Sequence, residues 1–293
     1  MPAHITHSAF GEAVLKTGLC EQTLNGLAIC GYELDRSAYE WGLQGPDLLF
    51  FATLAGNKKL PHCGNVMHQK NNDELFVALQ EYAVSVKDTP DFKAVYSYVL
   101  GFACHYVLDK NCHPYVFSLQ KRIEDEYPRL YCVHNKIESD IDSAIAFHRL
   151  GISPKRFRIP ASLLDDRSIY LPIARLYSDL FEKVYDVALT PEEILSGFKG
   201  AKRYYRFIID RAGLRFVAKA IDVLTRKRGA LFHMLRVKDY DPSVMNDEHS
   251  KWYNIQRPEI KRTESFDELF DGSVPEAVEL IGRIASLILN ETP

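Results

Sequence analysis

The chain has 293 residues, 46% hydrophobic and 26% charged, the balance of a polypeptide that can bury a substantial core. A formal net charge of −3 gives no electrostatic reason to expect a stable nucleic-acid partner. No stretch approaches the roughly eighteen consecutive apolar residues of a membrane span (Leu48 to Ala55 is far too short), and no basic region followed by an apolar core opens the chain.

Residues 1 to 19 begin with His4 and His7 and run through Phe10, Val14 and Leu15, a spacing that predicts a helix ending near Gly18. Residues 21 to 43 read as a second helix that weakens after Gly31. Gln44-Gly45-Pro46-Asp47 is a turn by composition, ahead of the apolar run Leu48-Leu49-Phe50-Phe51. Asp47 there is expected either to cap the next helix or to aim into a pocket. Residues 56 to 72 read as a loop holding His62 and His68, followed by an Asp73-capped helix, Glu74 to Val86. Thr89-Pro90 opens the next helix, and Pro114 is expected to end or kink it shortly after His113. A helix through His134 and Glu138 is expected to reach His148 and stop at Gly151, and residues 152 to 169 read as a connection.

Thr190-Pro191-Glu192-Glu193 is a threonine cap, a proline at the first helical position and a glutamate completing a capping box. The helix behind it is expected to reach about Arg211, with further helices from Leu214 to Leu235 and from about Val274 to Leu289. Asp239 to Ser265 is polar and irregular, and holds His249, Trp252 and Pro258. Lys199 to Lys238 carries twelve Lys/Arg against two Asp. The preferred reading is solvated helix faces paired with the acidic tail (Glu264, Asp267, Glu268, Asp271, Glu276, Glu279), and the other is an anion-facing surface. No convincing β-alternation is found, so the fold class is all-α. The cysteines at 20, 30, 63, 104, 112 and 132 include no CxxC pair and are expected as free thiols of a cytoplasmic protein.

Two patterns carry chemistry. His105 is followed by Asp109, and His134 by Glu138, each a histidine with a carboxylate one helical turn later on the same face. Val99, Leu100, Phe102, Ala103, Val107 and Leu108 surround the first pair, and a carboxylate in such a setting is costly unless paired or bound to metal. That favours a metal site over a core pair there. The second pair, with more polar neighbours, fits either description. Two such helices facing each other would converge imidazoles and carboxylates on one pocket.

These residues resemble a known family. Leu100-Gly101, His105-Tyr106, Asp109 and Asn111 resemble the core motif of the zinc-dependent phospholipase C family, and His134-Asn135-Lys136-Ile137-Glu138 with Asp142 resembles its downstream His-x-Lys-x-Glu helix. Thr6-His7 before Phe10-Gly11-Glu12 looks like the opening of the family's non-secreted bacterial members, and Gly45-Pro46-Asp47 and Met67-His68 fit the remaining ligand positions. The resemblance covers roughly residues 1 to 150, which would form a metal-binding helical core, with 151 to 293 as further helices packed on it.

It implies a multi-helix bundle like secreted phospholipase C and the single-strand nucleases, with two or three zinc ions in a cleft. Asp47, His68, His105 and Asp109 would hold one ion, Asp109 would bridge to a second held also by His7, and His113, His134 and Glu138 would hold the third. Asp47 would orient or deprotonate the attacking water as well as bind metal. His113 follows its aspartate more closely than the third histidine does in the secreted enzymes. Those enzymes also use the amine and carbonyl of a processed first residue, which removal of Met1 before Pro2, or His4 as an additional ligand, would have to replace here.

The implied activity is zinc-dependent hydrolysis of phosphoric esters by metal-bound hydroxide, in a phospholipase C-like phosphodiesterase acting on a small phosphate ester or a phospholipid headgroup. The headgroup pocket of the secreted enzymes is not recognisable, and a metal motif does not fix a substrate. The alternative of a different class is a non-catalytic metal-binding or interaction protein on the same fold. No histidine is directly followed by aspartate, which argues against the other common all-α metallophosphohydrolase, and Glu-x-x-His does not occur, which argues against di-iron chemistry.

Overall fold

The computed structural model describes residues 4–69, 72–157, 166–207, 214–224 and 240–290. They are mostly helical. In order the helices are α1 (His4–Leu15), α2 (Gly18–Ile29), α3 (Arg36–Gly42), α4 (Leu60–Gln69), α5 (Asn72–Ser85), α6 (Phe92–Glu126), α7 (Val133–His148), α8 (Arg167–Tyr185), α9 (Pro191–Phe207), α10 (Leu214–Leu224) and α11 (Phe266–Asn290). A long 3₁₀ segment, Gly45–Ala55, separates α3 from α4, and short ones cover Pro154–Arg156 and Pro242–Met245. The all-α class is borne out. Among the described residues no helix is long and apolar enough to cross a membrane.

Most of the predicted elements are present, and the departures have local causes. Gly18 opens α2 instead of closing α1, because the Thr17 hydroxyl accepts the Cys20 N–H and caps the new helix. The expected loop over 56 to 72 is largely α4, whose Leu60, Cys63, Gly64 and Met67 are buried at helical spacing, with Asn65 between them and Asn57, Asn71 and Asn72 outside the helix. Pro114 does not end α6, which continues to Glu126. A proline removes a single N–H bond from the ladder, and the buried Cys112, Tyr115, Val116 and Leu119 on either side hold the helix together. The Thr190–Glu193 capping box is closed in both directions, with Thr190 N–H donating to Glu193 Oε2 at 2.8 Å and Glu193 N–H to Thr190 Oγ1 at 3.2 Å.

The last helix begins at Phe266, well before the expected Val274. A second capping box explains the early start: Ser265 N–H donates to Glu268 Oε2 at 2.9 Å, and Glu268 N–H to Ser265 Oγ at 3.1 Å. Trp252–Asn254 and Arg257–Arg262 pair as a small antiparallel hairpin. It escaped the β reading because every residue of its second strand but the last is exposed, so no alternation marks it. The expected helix over Leu214 to Leu235 is seen as α10, and residues 225 to 235 lie outside the described residues, as do 208 to 211 of the helix expected to reach Arg211.

By their contacts the residues form two units, Met1–Phe10 with Val107–Arg158 and Arg206–Val274, and Gly11–Tyr106 with Ile159–Tyr205 and Pro275–Pro293. In the first unit Phe10 meets Phe270 edge to face at 5.2 Å and Tyr115 meets Trp252 at 5.4 Å, and Ile141 and Ile145 of α7 are buried. Arg149 lies over the Phe270 ring at 4.2 Å and pairs with Asp267 and Asp271, while Arg262 pairs with Glu264. These acids of the tail, expected to neutralise the basic stretch 199 to 238, are thus engaged by other arginines.

In the second unit α4 packs on the Gly45–Ala55 segment and α5 on α8, and Trp41 is enclosed by Phe198 and Tyr170 at 5.0 and 5.7 Å. There α3 crosses α6 at a glycine pair. A Cβ on Gly42 would sit 2.2 Å from the Tyr98 carbonyl oxygen, and one on Gly101 2.1 Å from that of Tyr39. The pair sets the depth at which α6 presents the next turn, and with it His105.

Candidate metal centre

His105, Asp109 and His113 follow one another on α6 at intervals of four, and so climb one face of the helix. In the second unit His105 joins Asp47 and His68, and the three can offer ligand atoms within 4.8 Å of one another. His105 is buried, with its Nδ1 at 3.1 Å from the Leu43 carbonyl. The His68 Nδ1 is 2.8 Å from the carbonyl of Gly64, one turn earlier on α4, and its Nε2 is 3.2 Å from Asp47 Oδ1.

Asp47 reaches this place because the chain turns at Gly45, whose φ of 49° suits glycine and where a Cβ would lie 2.4 Å from the His105 ring. The Gly45 carbonyl is held by the hydroxyls of Tyr177 at 3.0 Å and Tyr98 at 3.2 Å. Asp47 therefore does not cap a helix. Burial works against its charge, but the hydrogen bond from His68 and the positive potential of His68 and His105 prevail, and its pKa lies below the ordinary value.

The first unit holds the second group, His113, His134 and Glu138, again within 4.8 Å. His134 Nε2 lies 3.1 Å from Glu138 Oε1, and its Nδ1 is 3.0 Å from Gln120 Oε1. His113 has a carboxylate at each nitrogen: Asp109 Oδ1 at 3.2 Å from Nδ1 and Glu138 Oε1 at 3.5 Å from Nε2. Burial opposes both charges, yet the two carboxylates raise His113 well above the usual imidazole range, while Glu138, lowered by the charge of the amino terminus and then by hydrogen bonds from the two imidazoles, lies well below the usual carboxylate range. His7 Nε2 meets the same Asp109 Oδ1 at 3.2 Å, so that oxygen stands between two histidines, as a bridging carboxylate would.

Asp142, part of the downstream pattern, serves α1 instead. Its carboxylate accepts from Ile5 N–H at 3.1 Å, Thr6 N–H at 2.8 Å and Thr6 Oγ1 at 2.7 Å, a helix cap supplied from α7 that fixes the turn carrying His7. His4 packs edge-on against Phe157 at 5.7 Å and belongs to neither group. Sequence reading missed two neighbours of His134: Gln120, and Phe117, whose ring stacks on it at 5.4 Å. Both continue the α6 face at i+4 and i+7 from His113, the signal that would have found them.

The arrangement calls for positive charge. Where an Nδ1–H donates to an oxygen, as the placement of His68 and His134 favours, the neutral ring keeps a lone pair on Nε2. In both residues that lone pair is aimed at a carboxylate at 3.1–3.2 Å. Two acceptors in that position repel unless a cation, a proton or a metal ion, lies between them. Imidazole and carboxylate donors, each ring oriented by an outer hydrogen bond, are a set that suits zinc.

Residues 4–187 match the family model described as zinc dependent phospholipase C. The chain belongs to the zinc-dependent phospholipase C family. The match continues past residue 150 through α8, so the family region exceeds the part in which the resemblance is legible by eye. No curated protein and no solved structure matches the chain. The family fixes zinc as the metal to test against the two groups, and the donor sets fit it. Met1 and Pro2, which the resemblance brought into question as a further ligand position, lie outside the described residues.

Proposed function

We propose that this member of the zinc-dependent phospholipase C family hydrolyses phosphoric esters, and phosphodiesters in particular. Asp47, His68, His105 and Asp109 would hold one zinc ion, His113, His134 and Glu138 another, and His7 with the bridging Asp109 a further one. The observation that carries the reading is the pair of histidine–carboxylate contacts, His68–Asp47 and His134–Glu138, in which outer hydrogen bonds turn the ring nitrogen toward an acid.

Bound zinc would supply Lewis acidity for a water nucleophile and for the phosphoryl oxygens. Asp47 is the candidate general base. It is partly exposed, it is held ionised by its neighbours, and the turn at Gly45 fixes its position. His105 is locked from behind by the Leu43 carbonyl, which holds its Nε2 toward the site. Asp109 ties His7 to His113 and so keeps the α1 ligand in register with α6.

The test is zinc content of untagged protein by elemental analysis, beside a His105→Ala, Glu138→Ala double variant, with turnover of bis(p-nitrophenyl) phosphate and p-nitrophenyl phosphate. Two or three zinc ions per chain, lost in the double variant together with diester hydrolysis, are expected. A chain that takes up no zinc even on incubation overturns the hydrolase reading. One that holds zinc but turns over neither ester leaves the non-catalytic alternative.

A further inference from the structure

The Asp47–His68–His105 and His113–His134–Glu138 groups lie in different units, yet each holds one histidine in the same way. The His68 ring has the Gly64 carbonyl at 2.8 Å from Nδ1 and Asp47 Oδ1 at 3.2 Å from Nε2. Phe50 lies against its face, with ring centroids 5.6 Å apart and planes 28° from parallel. The His134 ring has Gln120 Oε1 at 3.0 Å from Nδ1 and Glu138 Oε1 at 3.1 Å from Nε2. Phe117 lies against that face at 5.4 Å and 29°. Two contacts made in the ring plane still let an imidazole rock about the line joining its nitrogens. A flat partner on the face removes that freedom.

Different local geometry produces the arrangement in each unit. Asp47 and Phe50 are three residues apart on the 3₁₀ segment Gly45–Ala55, where i and i+3 eclipse, so the acid and the phenyl ring leave the same edge. Gly64 leaves room for that ring, since a Cβ there would lie 3.3 Å from Phe50 Cε1 and Cζ. In the other group His113 and Phe117 are four residues apart on one face of α6. The Phe117 ring meets His113 as well, at 5.3 Å. Neither phenylalanine is a core side chain: Phe50 is half-buried and Phe117 is 42% exposed.

We propose that Phe50 and Phe117 are positioning residues of the metal centre, aromatic plates that hold the His68 and His134 imidazoles in the plane from which Nε2 meets a zinc ion. The proposal rests on the zinc-hydrolase reading for its purpose, although the plates act before any metal binds. Offset, near-parallel rings at these separations attract beyond the apolar area they cover. Outer contacts that orient a ligand imidazole also set metal affinity. Leucine in place of either phenylalanine would fill much of the same space and offer no flat face.

Zinc affinity of the full-length protein, by competition with a chromophoric chelator, tests this together with imidazole NMR of the zinc-free chain. Phe117→Leu should weaken one zinc ion by about five- to tenfold and leave the ion at Asp47–His68–His105 unchanged. Phe50→Leu should do the converse. The imidazole signals that move first as zinc is added tell which group has filled. Phe117→Tyr keeps the flat face and should restore wild-type affinity, which simple loss of apolar packing does not predict. In the zinc-free wild type the carbon-bound ring protons of His68 and His134 should lie upfield, and each set should return downfield in its own leucine variant.

Leucine variants that bind zinc as tightly as the wild type overturn the proposal, and so does a tyrosine variant as weak as the leucine one. Should the leucine variants fail to fold, the wild-type spectrum decides: ring protons at ordinary positions overturn the proposal, and upfield ones sustain it. Upfield, phenylalanine-dependent ring protons in a chain that takes up no zinc would sink the hydrolase reading and keep the plates. Zinc binding and ester hydrolysis that are indifferent to both leucine changes would do the opposite.

Discussion

Each residue of the two ligand groups has a separable job, and substitutions should separate them. Glu138 is 5% exposed and meets both His113 and His134, so Glu138→Gln keeps the shape but removes the charge that both imidazoles face. One zinc ion should be lost by elemental analysis while the Asp47–His68–His105 group keeps its own. Loss of all zinc would mean that the two groups do not bind independently. Asp142 caps the helix that carries His7. Asp142→Ala should cost about 1–2 kcal/mol in urea unfolding, as lost caps do. It should also weaken the zinc that depends on His7 more than the ion at His134, and equal weakening of both would deny it a positioning role. At this scale the histidine–carboxylate pairs were legible because i and i+4 share a face whatever the surroundings. Gln120 and the cap at Asp142 were not, since one is a contact of α6 with α7 and the other joins residues more than a hundred positions apart.

The helices show where local signals suffice. Thr190 and Glu193 announce a boundary that the structure places within one residue of the expected start. Thr190→Ala should lower stability by about 1 kcal/mol and leave zinc content alone. Ser265-Phe266-Asp267-Glu268 carries the same signature and marks a start that apolar periodicity alone placed too late. α4 was hidden by Asn65 and by the asparagines that flank it, although Leu60, Cys63, Gly64 and Met67 keep the helical interval. Pro114 is the opposite case, a strong breaker overruled by packing on both sides. Pro114→Ala returns an N–H that can reach the Lys110 carbonyl, and should raise the urea midpoint by an amount equivalent to about 1 kcal/mol or more. A fall instead, accompanied by loss of the His113 zinc, would show that the proline sets the direction of His113. Substituting Gly101 by alanine should be costly, about 2 kcal/mol or more, because the new Cβ would sit against the Tyr39 backbone oxygen.

For the molecule as a whole, metal and pH act on one set of groups, and the signs can be worked out. In the metal-free chain the depressed Glu138 contributes stability that is present above the ordinary glutamate value of about 4.3 and is lost as pH falls through its lower folded value. The raised His113 contributes stability that is present below about 6.5 and is lost as pH rises through its higher folded value. The metal-free protein should therefore gain most from this cluster between those two ordinary values. Zinc reverses the alkaline limb, because it binds imidazoles without their protons and stabilises only the folded chain that assembles them. The difference in thermal midpoint between zinc-loaded and chelator-treated protein should thus be small near about pH 5 and widen steadily toward about pH 8. His113→Gln should flatten the metal-free limb and lower the zinc-loaded plateau together, because one imidazole serves both states. A gap that is constant across that range would mean that the stabilising zinc sits elsewhere, away from these histidines and acids.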